Sequence, residues 1–398
     1  MQTSRAGKFP VVLLTAGHFL NDFYNNFLPP LLPVVIASLG ISLTSAGLLV
    51  MISSFSGSIL QPVCGYFIDK KGYSWLLLFT LPVGAFFICS LGLAPSYWVL
   101  VAFLALGGLG TSMFHPLGSA LVSKVSPAEN KGLAMSVFIG GGNFGFALAP
   151  VLVVFYMLEF GIRNLPWLIV PAILLSAAYF ASGLHRIPLA AARTAAGGNT
   201  VAWYKSLNLL KLNVVMALRS WSQMALPNFL PVLLAQQGHA PLLAGNLLTV
   251  YLLGGAVGSF VGGWLGDRFG RKACIIFLLA LCLPTMFLFI RSQEITLFAW
   301  LMLAISGAAL QGTLPSSIVW AQDIIPGNAA MASGMMLGLA YGLGGVGVAI
   351  TGAFADFVGL ETALVWSLLP LALSIPLAAS IPARQPGTRK THQPPLAQ

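Results

Sequence analysis

Twelve apolar runs, each long enough to cross a bilayer, dominate this chain of 398 residues. A spanning helix needs about 20 mostly apolar residues. Such runs fall at roughly 11–37, 44–68, 75–94, 97–122, 132–157, 165–183, 210–235, 241–266, 273–291, 295–321, 329–354 and 361–380. Turn and charge signals separate them: Asp69-Lys70-Lys71-Gly72, Ser126-Pro127-Ala128-Glu129, Gly161, Gly238, the stretch from Asp267 to Lys272, and Pro326-Gly327-Asn328. Pro and Gly inside the runs are compatible with membrane helices, where neighbours re-satisfy the freed backbone groups. Only 7% of the residues are charged, against about 25% in a soluble globular domain. A chain so poor in charge cannot cover itself in water, and lipid is its solvent. The first run is long and no small-residue cleavage site follows it, so it reads as a retained spanning helix.

The basic residues set the orientation. With the amino terminus inside, all but three of the 19 Lys and Arg residues fall on cytoplasmic segments; Arg163 and Arg291 lie outside and Arg219 lies within a helix. This follows the positive-inside rule and puts both termini in the cytoplasm. The net charge of +10 is thereby explained by topology. The basic residues form short clusters and no continuous face, so nucleic acid is not expected as a partner. The longest break, 184–209, divides a first half (1–183) from a second (210–381), and a polar, Pro-rich tail (382–398) follows. Cys64, Cys89, Cys274 and Cys282 lie in or beside apolar runs with no metal-ligand spacing, and read as small apolar filler.

The halves repeat one another. Leu28-Pro29-Pro30-Leu31-Leu32-Pro33-Val34 returns 198 positions later as Leu226-Pro227-Asn228-Phe229-Leu230-Pro231-Val232. Gly65-Tyr66-Phe67-Ile68-Asp69-Lys70-Lys71-Gly72 returns at the same offset as Gly263-Trp264-Leu265-Gly266-Asp267-Arg268-Phe269-Gly270. Pro116 and Pro127 match Pro315 and Pro326 at an offset of 199. Two parallel six-helix halves place a substrate site near the midplane between them, and rocking of the halves alternates access.

The loop Gly65-x-x-x-Asp69-Lys70-x-Gly72 and its copy Gly263-x-x-x-Asp267-Arg268-x-Gly270-Arg271-Lys272 resemble the signature between helices 2 and 3 of major-facilitator transporters. The first copy has Tyr73-Ser74 where the second has its basic pair. Glycine permits close helix approach. The Asp can accept from a facing helix N-terminus or pair with Arg, bracing an inner gate. A narrower resemblance, over nearly the whole chain, is to the fosmidomycin-resistance family of bacterial exporters. Its carriers are Gly17-His18-Phe19-Leu20-Asn21-Asp22, Leu60-Gln61-Pro62-Val63-Cys64-Gly65-Tyr66, Gly110-Thr111-Ser112-Met113-Phe114-His115-Pro116, Ala321-Gln322-Asp323-Ile324-Ile325-Pro326-Gly327 and Tyr341-Gly342-Leu343-Gly344-Gly345. The family often has Glu after Phe-His-Pro, where this chain has Leu117. The Gly140–Gly145 run up to Pro150 resembles the glycine-rich helix-5 motif of antiporters, expected to bring helices 5 and 8 close; Gly342–Gly347 is similar.

Polar residues at bilayer depth are costly and by default functional. Asp22 lies about 16 Å into the first helix at 1.5 Å per residue. It is the one carboxylate placed well inside the hydrocarbon. His18, Asp22, Asn25 and Asn26 share a helix face. Desolvation penalises a buried charge, as a proton carrier requires, so Asp22, His18 and His115 are the candidate proton-coupling residues. The candidate cavity residues are Asn25, Asn26, Asn143, Arg219, Gln223 and Gln311. Arg219 is the repeat partner of Asn21 and is expected to approach Asp22 or bind an anion.

The fold expected is therefore an all-α integral membrane protein of twelve helices in two pseudo-symmetric halves, in the cell inner membrane. Its expected partners are a small-molecule substrate, protons and the lipid bilayer, acting as a monomer. No phosphate loop, nucleophile triad or zinc pattern calls for a cofactor or metal. The resemblance implies proton-coupled efflux of a small, anionic or phosphonate-like compound. Uptake of an organic anion or metabolite is the alternative within transport. A membrane-embedded enzyme or receptor is the alternative outside it.

Overall fold

The structure is a computed structural model that describes residues 8–127, 130–189, 206–325, 331–332 and 335–382, apart from the side chains of Asp69 and Leu337. Most of the expected central linker, the Pro326-Gly327-Asn328 break and the tail after residue 382 lie outside the described residues. Among the described residues every element is helical, and ten helices are long and apolar enough to cross a membrane. They are Leu43–Ile68, Ser74–Leu93, Tyr97–Val125, Lys131–Phe160, Ile162–Ser182, Pro241–Phe269, Arg271–Ile290, Leu297–Ile324, Ala340–Val358 and Leu360–Ala379. The first and seventh spans complete the twelve. The first is two helices, Lys8–Asn25 and Leu28–Leu39. The seventh, Leu207–Gln236, is continuous, and Asn213, Arg219, Ser220, Ser222 and Gln223 dilute its apolarity.

Interruptions appear where the apolar pattern alone predicts continuous helices, and their causes are local. Pro29 and Pro30 have no amide to give the carbonyls of Asn25 and Asn26, so the first span breaks there. The second span loosens into a π-turn at Phe55–Ile59, and another at Met335–Leu339 runs into the eleventh-span helix Ala340–Val358. Prolines inside unbroken helices free carbonyls too, and at three of them a side chain of another span supplies the missing donor. Pro150 frees the Phe146 carbonyl, which accepts from Asn26 Nδ2 at 2.8 Å. Pro82 frees that of Leu78, which accepts from Ser176 Oγ at 2.6 Å. Pro227 frees that of Gln223, which accepts from Tyr251 Oη at 3.2 Å. Each donor sits on another span of the same half, so each bend is also a cross-link.

The halves meet where the second span packs on the eleventh and the fifth on the eighth, and the outer helix of the first span, Leu28–Leu39, also packs on the seventh. Close approach in the outer part is made by glycine. A Cβ on Gly47 would lie 2.8 Å from the Val348 carbonyl oxygen, and one on Gly245 would lie 3.1 Å from that of Pro150. Toward the inner side the halves part. The inner segment of the second span, Gln61–Lys71, packs on the fourth span of its own half. Gly132 and Gly140, on the inner part of the fifth span, face open space. The arrangement is closed outward and open inward.

The glycine run of the fifth span does not make the contact expected of it. Gly141 faces Thr15, Gly142 faces His18 and Asp22, and Gly145 meets the Phe19 backbone, all on the first span. The fifth–eighth contact instead uses Gly245 of the eighth span against Pro150 and Val151.

Candidate functional site

The broken first span presents His18 and Asp22 one turn apart toward the fourth and fifth spans. His18 Nε2 is 3.2 Å from Asp22 Oδ2, and His115 Nε2 of the fourth span is 3.4 Å from Asp22 Oδ1. Asn21 Nδ2 donates to Asp22 Oδ1 at 3.0 Å and lies 3.4 Å from His115 Nε2. The His115 ring stands edge-on to that of His18, with centroids 5.0 Å apart. Phe138 holds His18 twice over, by stacking at 4.2 Å and through its carbonyl 2.7 Å from Nδ1.

That last contact fixes a tautomer. A carbonyl oxygen only accepts, so Nδ1 carries the hydrogen and Nε2 of neutral His18 is left with a lone pair. A bare lone pair 3.2 Å from a carboxylate oxygen is repulsive. The contact is satisfied when one more proton sits between them, on the imidazole or on Asp22. Side-chain exposure is 7% for His18, 14% for Asp22 and 26% for His115, so His115 is the most exposed member of the cluster.

Arg219 occupies the repeat-equivalent place in the second half and is fully buried. Its Nε and Nη2 donate to the Leu310 carbonyl at 3.1 and 2.5 Å, Nη1 to Ser220 Oγ at 3.4 Å and Nη2 to Gln311 Oε1 at 3.4 Å. The expected approach of Arg219 to Asp22 is not made, because each is satisfied by neighbours of its own half. Gln311 Oε1 also accepts from Gln223 Nε2 and, at 3.2 Å, from Tyr341 Oη. Gln223 Oε1 is buried without a described partner. The cluster contains no carboxylate.

The remaining candidates are dispersed. Asn26 is the donor at the Pro150 bend, Asn25 faces Gly57 of the π-turn, and Asn143 is exposed beside the glycine run. Sequence reasoning passed over Tyr341, Tyr251 and Phe138. Tyr341 stands 198 positions after Asn143, so the repeat was the signal that could have found it.

The two gate loops keep the repeat in three dimensions. Gly72 and Gly270 both take positive φ, +67° and +90°, ending their helices. Lys70 lies over the Tyr66 ring at 5.6 Å, and Arg268 over Trp264 at 5.4 Å. Gly65 abuts Pro116 and Gly263 abuts Pro315. In the second copy Arg271 pairs with Asp323, and Lys272 Nζ donates to the carbonyls of Ala379 and Ile381 at 2.6 and 2.7 Å. Asp267 is exposed, with no partner among the described residues. In the first copy Ser74 Oγ donates to the His185 carbonyl at 2.9 Å, tying that loop to the end of the sixth span.

Comparison with known proteins agrees with this architecture. The sequence profile of the Major Facilitator Superfamily matches residues 14–218 and again 212–396, one match per half. The chain is 28% identical to the fosmidomycin resistance protein of Escherichia coli over 370 residues, covering 90% of this chain and 89% of that one. It is 29% identical over 367 residues, with the same coverage, to an MFS-type transporter, YfnC, of Bacillus subtilis. Among solved structures, a bacterial homolog of the human lysosomal transporter Spinster, inward-facing and occupied, superposes with a TM-score of 0.79 at 15% identity, covering 95% of this chain and 97% of that one. The nucleoside transporter NupG superposes with 0.75 at 16% identity, covering 94% and 98%. The twelve spans, the repeat and these matches together place the chain in the Major Facilitator Superfamily, as a multi-pass transporter of the cell inner membrane and not an enzyme.

Proposed function

We propose that this transporter exports a small anionic compound in exchange for protons. The His18–Asp22–His115 cluster stores the proton, and the Arg219–Gln223–Gln311–Tyr341 cluster faces the substrate from the other half. One observation carries the reading: the Phe138 carbonyl fixes His18 Nδ1 as a donor, so the 3.2 Å contact of Nε2 with Asp22 calls for an added proton. Loading or losing that proton changes the charge of a desolvated site and with it the relative stability of inward- and outward-open states. Arg219 supplies a buried positive charge behind Gln311, with no carboxylate partner among the described residues. Such a charge favours an anion where the Gln311 oxygen now collects its donors. Similarity to the fosmidomycin resistance protein and to multidrug resistance protein MdtG of Enterobacter lignolyticus, 26% identical over 279 residues, supports efflux.

The test is transport in inside-out vesicles with an acidic interior, using a panel of small phosphonates and carboxylates and a pH-sensitive dye. Accumulation of one of them with alkalinisation of the lumen is expected, and Asp22→Asn is expected to abolish both while protein level stays near normal. Accumulation driven by the gradient as strongly in Asp22→Asn as in the parent would refute the proton site. Accumulation only in right-side-out vesicles with acid outside would reverse the direction to uptake.

A further inference from the structure

The outer seam between the halves carries one polar fastening. Asp356, near the outer end of the eleventh span, reaches across to the first turn of the second. Its Oδ1 accepts from the Leu43 amide at 2.9 Å, and its Oδ2 accepts from the Thr44 amide at 2.9 Å and the Thr44 hydroxyl at 2.5 Å. Leu43 and Thr44 open the helix after Ser42, whose own hydroxyl accepts from the Ser45 amide at 3.1 Å. The first amides of a helix have no partner inside it. Here Leu43, Thr44 and Ser45 all find one, and the opposite half supplies two of the three. A carboxylate is also favoured by the positive end of the helix dipole. The side-chain hydrogen bonds that join described residues of opposite halves all end on Asp356. Beneath it the backbones touch: Gly352 lies against the Leu43 carbonyl, and Gly47 against Val348 and Ala349.

We propose that Asp356 is the latch of the outer gate. Its carboxylate holds the inward-open arrangement by capping the second span from the other half, and it lets go each time the transporter opens outward. Alternating access requires this seam to part. When it parts, the Leu43 and Thr44 amides and the carboxylate all pass to water. The latch governs which way the cavity faces and is independent of the ion or substrate carried.

The experiment uses the full chain in lipid nanodiscs, without substrate, and with spin labels at Ser38 and Thr362. Both positions are exposed on the outer side, one in each half. The distance distribution reads the ratio of outward-open to inward-open molecules. Asp356→Ala is expected to raise that ratio about tenfold, equivalent to about 1.4 kcal/mol. Asp356→Asn keeps one acceptor oxygen and is expected to raise it less. Glu361→Gln breaks the outer-side ion pair with Arg291, 2.6 Å long and confined to one half, and is expected to leave the ratio unchanged. A parent-like ratio in both Asp356 variants overturns the latch. So does an equal rise in Glu361→Gln, which would assign the effect to surface charge. If Asp356→Ala fails to fold, Asp356→Asn decides by the same criterion.

Discussion

Gly142→Ala is the sharpest probe of the His18–Asp22 contact, because it adds one methyl group between the two side chains and removes nothing. A Cβ at position 142 would sit 2.6 Å from Asp22 Oδ2, 2.6 Å from His18 Nε2 and 2.7 Å from His18 Cδ2. Ordinary contact begins roughly 0.8 Å further out, given carbon–carbon optima of about 3.5 Å and slightly smaller polar atoms. The imidazole cannot retreat freely, being stacked on Phe138 and bonded to its carbonyl. The displacement therefore falls on the 3.2 Å Nε2–Oδ2 separation, which passes the limit of a hydrogen bond on moving a few tenths of an ångström. Overpacking of this kind costs about 1–3 kcal/mol. Loss of a charge-assisted bond worth about 1.5–3 kcal/mol corresponds to roughly a ten- to hundredfold loss of proton affinity. Substrate-driven proton flux in proteoliposomes should drop by that order, while the purified protein stays folded and monodisperse. Gly140→Ala is the control, since a Cβ there meets nothing within 4 Å. If Gly142→Ala and Gly140→Ala carry the same proton flux as the parent, the contact is not the proton site.

Arg219→Gln should weaken binding of an anionic substrate more than tenfold by titration of purified protein, and Arg219→Lys should weaken it less, because charge remains while the two-nitrogen grip on the Leu310 carbonyl is lost; equal affinity in Arg219→Gln would make the residue structural. Asp267→Ala should lower turnover at saturating substrate with binding unchanged, because the residue lies on the inner loop remote from both clusters; unchanged turnover would remove it from gating. Arg271→Ala should change unfolding stability by less than about 1 kcal/mol, the usual worth of a half-exposed ion pair, and slow the switch between states; a parent-like switching rate would leave the Asp323 pair without a role in the gate.

The sequence made the architecture legible because lipid imposes length and the repeat imposes register. Span number, orientation and the pairing of Lys70 with Arg268 could all be read from position alone. The clustering of Asp22 with His18 followed from helical spacing. The arrival of His115 did not, since it depends on how the fourth span crosses the first. The Arg219–Asp22 expectation failed for a related reason. Repeat equivalence relates positions in two halves, but each side chain bonds to what its own half offers: a carbonyl at Leu310, imidazoles at His18 and His115. The glycine run of the fifth span was legible as a place of close approach, but spacing could not say which neighbour approaches. The partner proved to be the first span, where Gly142 leaves room for the proton cluster.

The cross-linked bends have a mechanical consequence. A proline in a membrane helix is usually a soft joint, because the missing hydrogen bond lets the two segments pivot. Here the carbonyls of Phe146, Leu78 and Gln223 are each held by a side chain from a neighbouring span. Flexing any of the three would strip a polar group of its partner in a medium without water, at a cost of several kcal/mol. These three joints are therefore welded, and each half is stiffened where they fall. Motion is left to the surfaces where the halves slide on one another, and a substitution such as Asn26→Leu, Ser176→Ala or Tyr251→Phe would turn a lever into a spring.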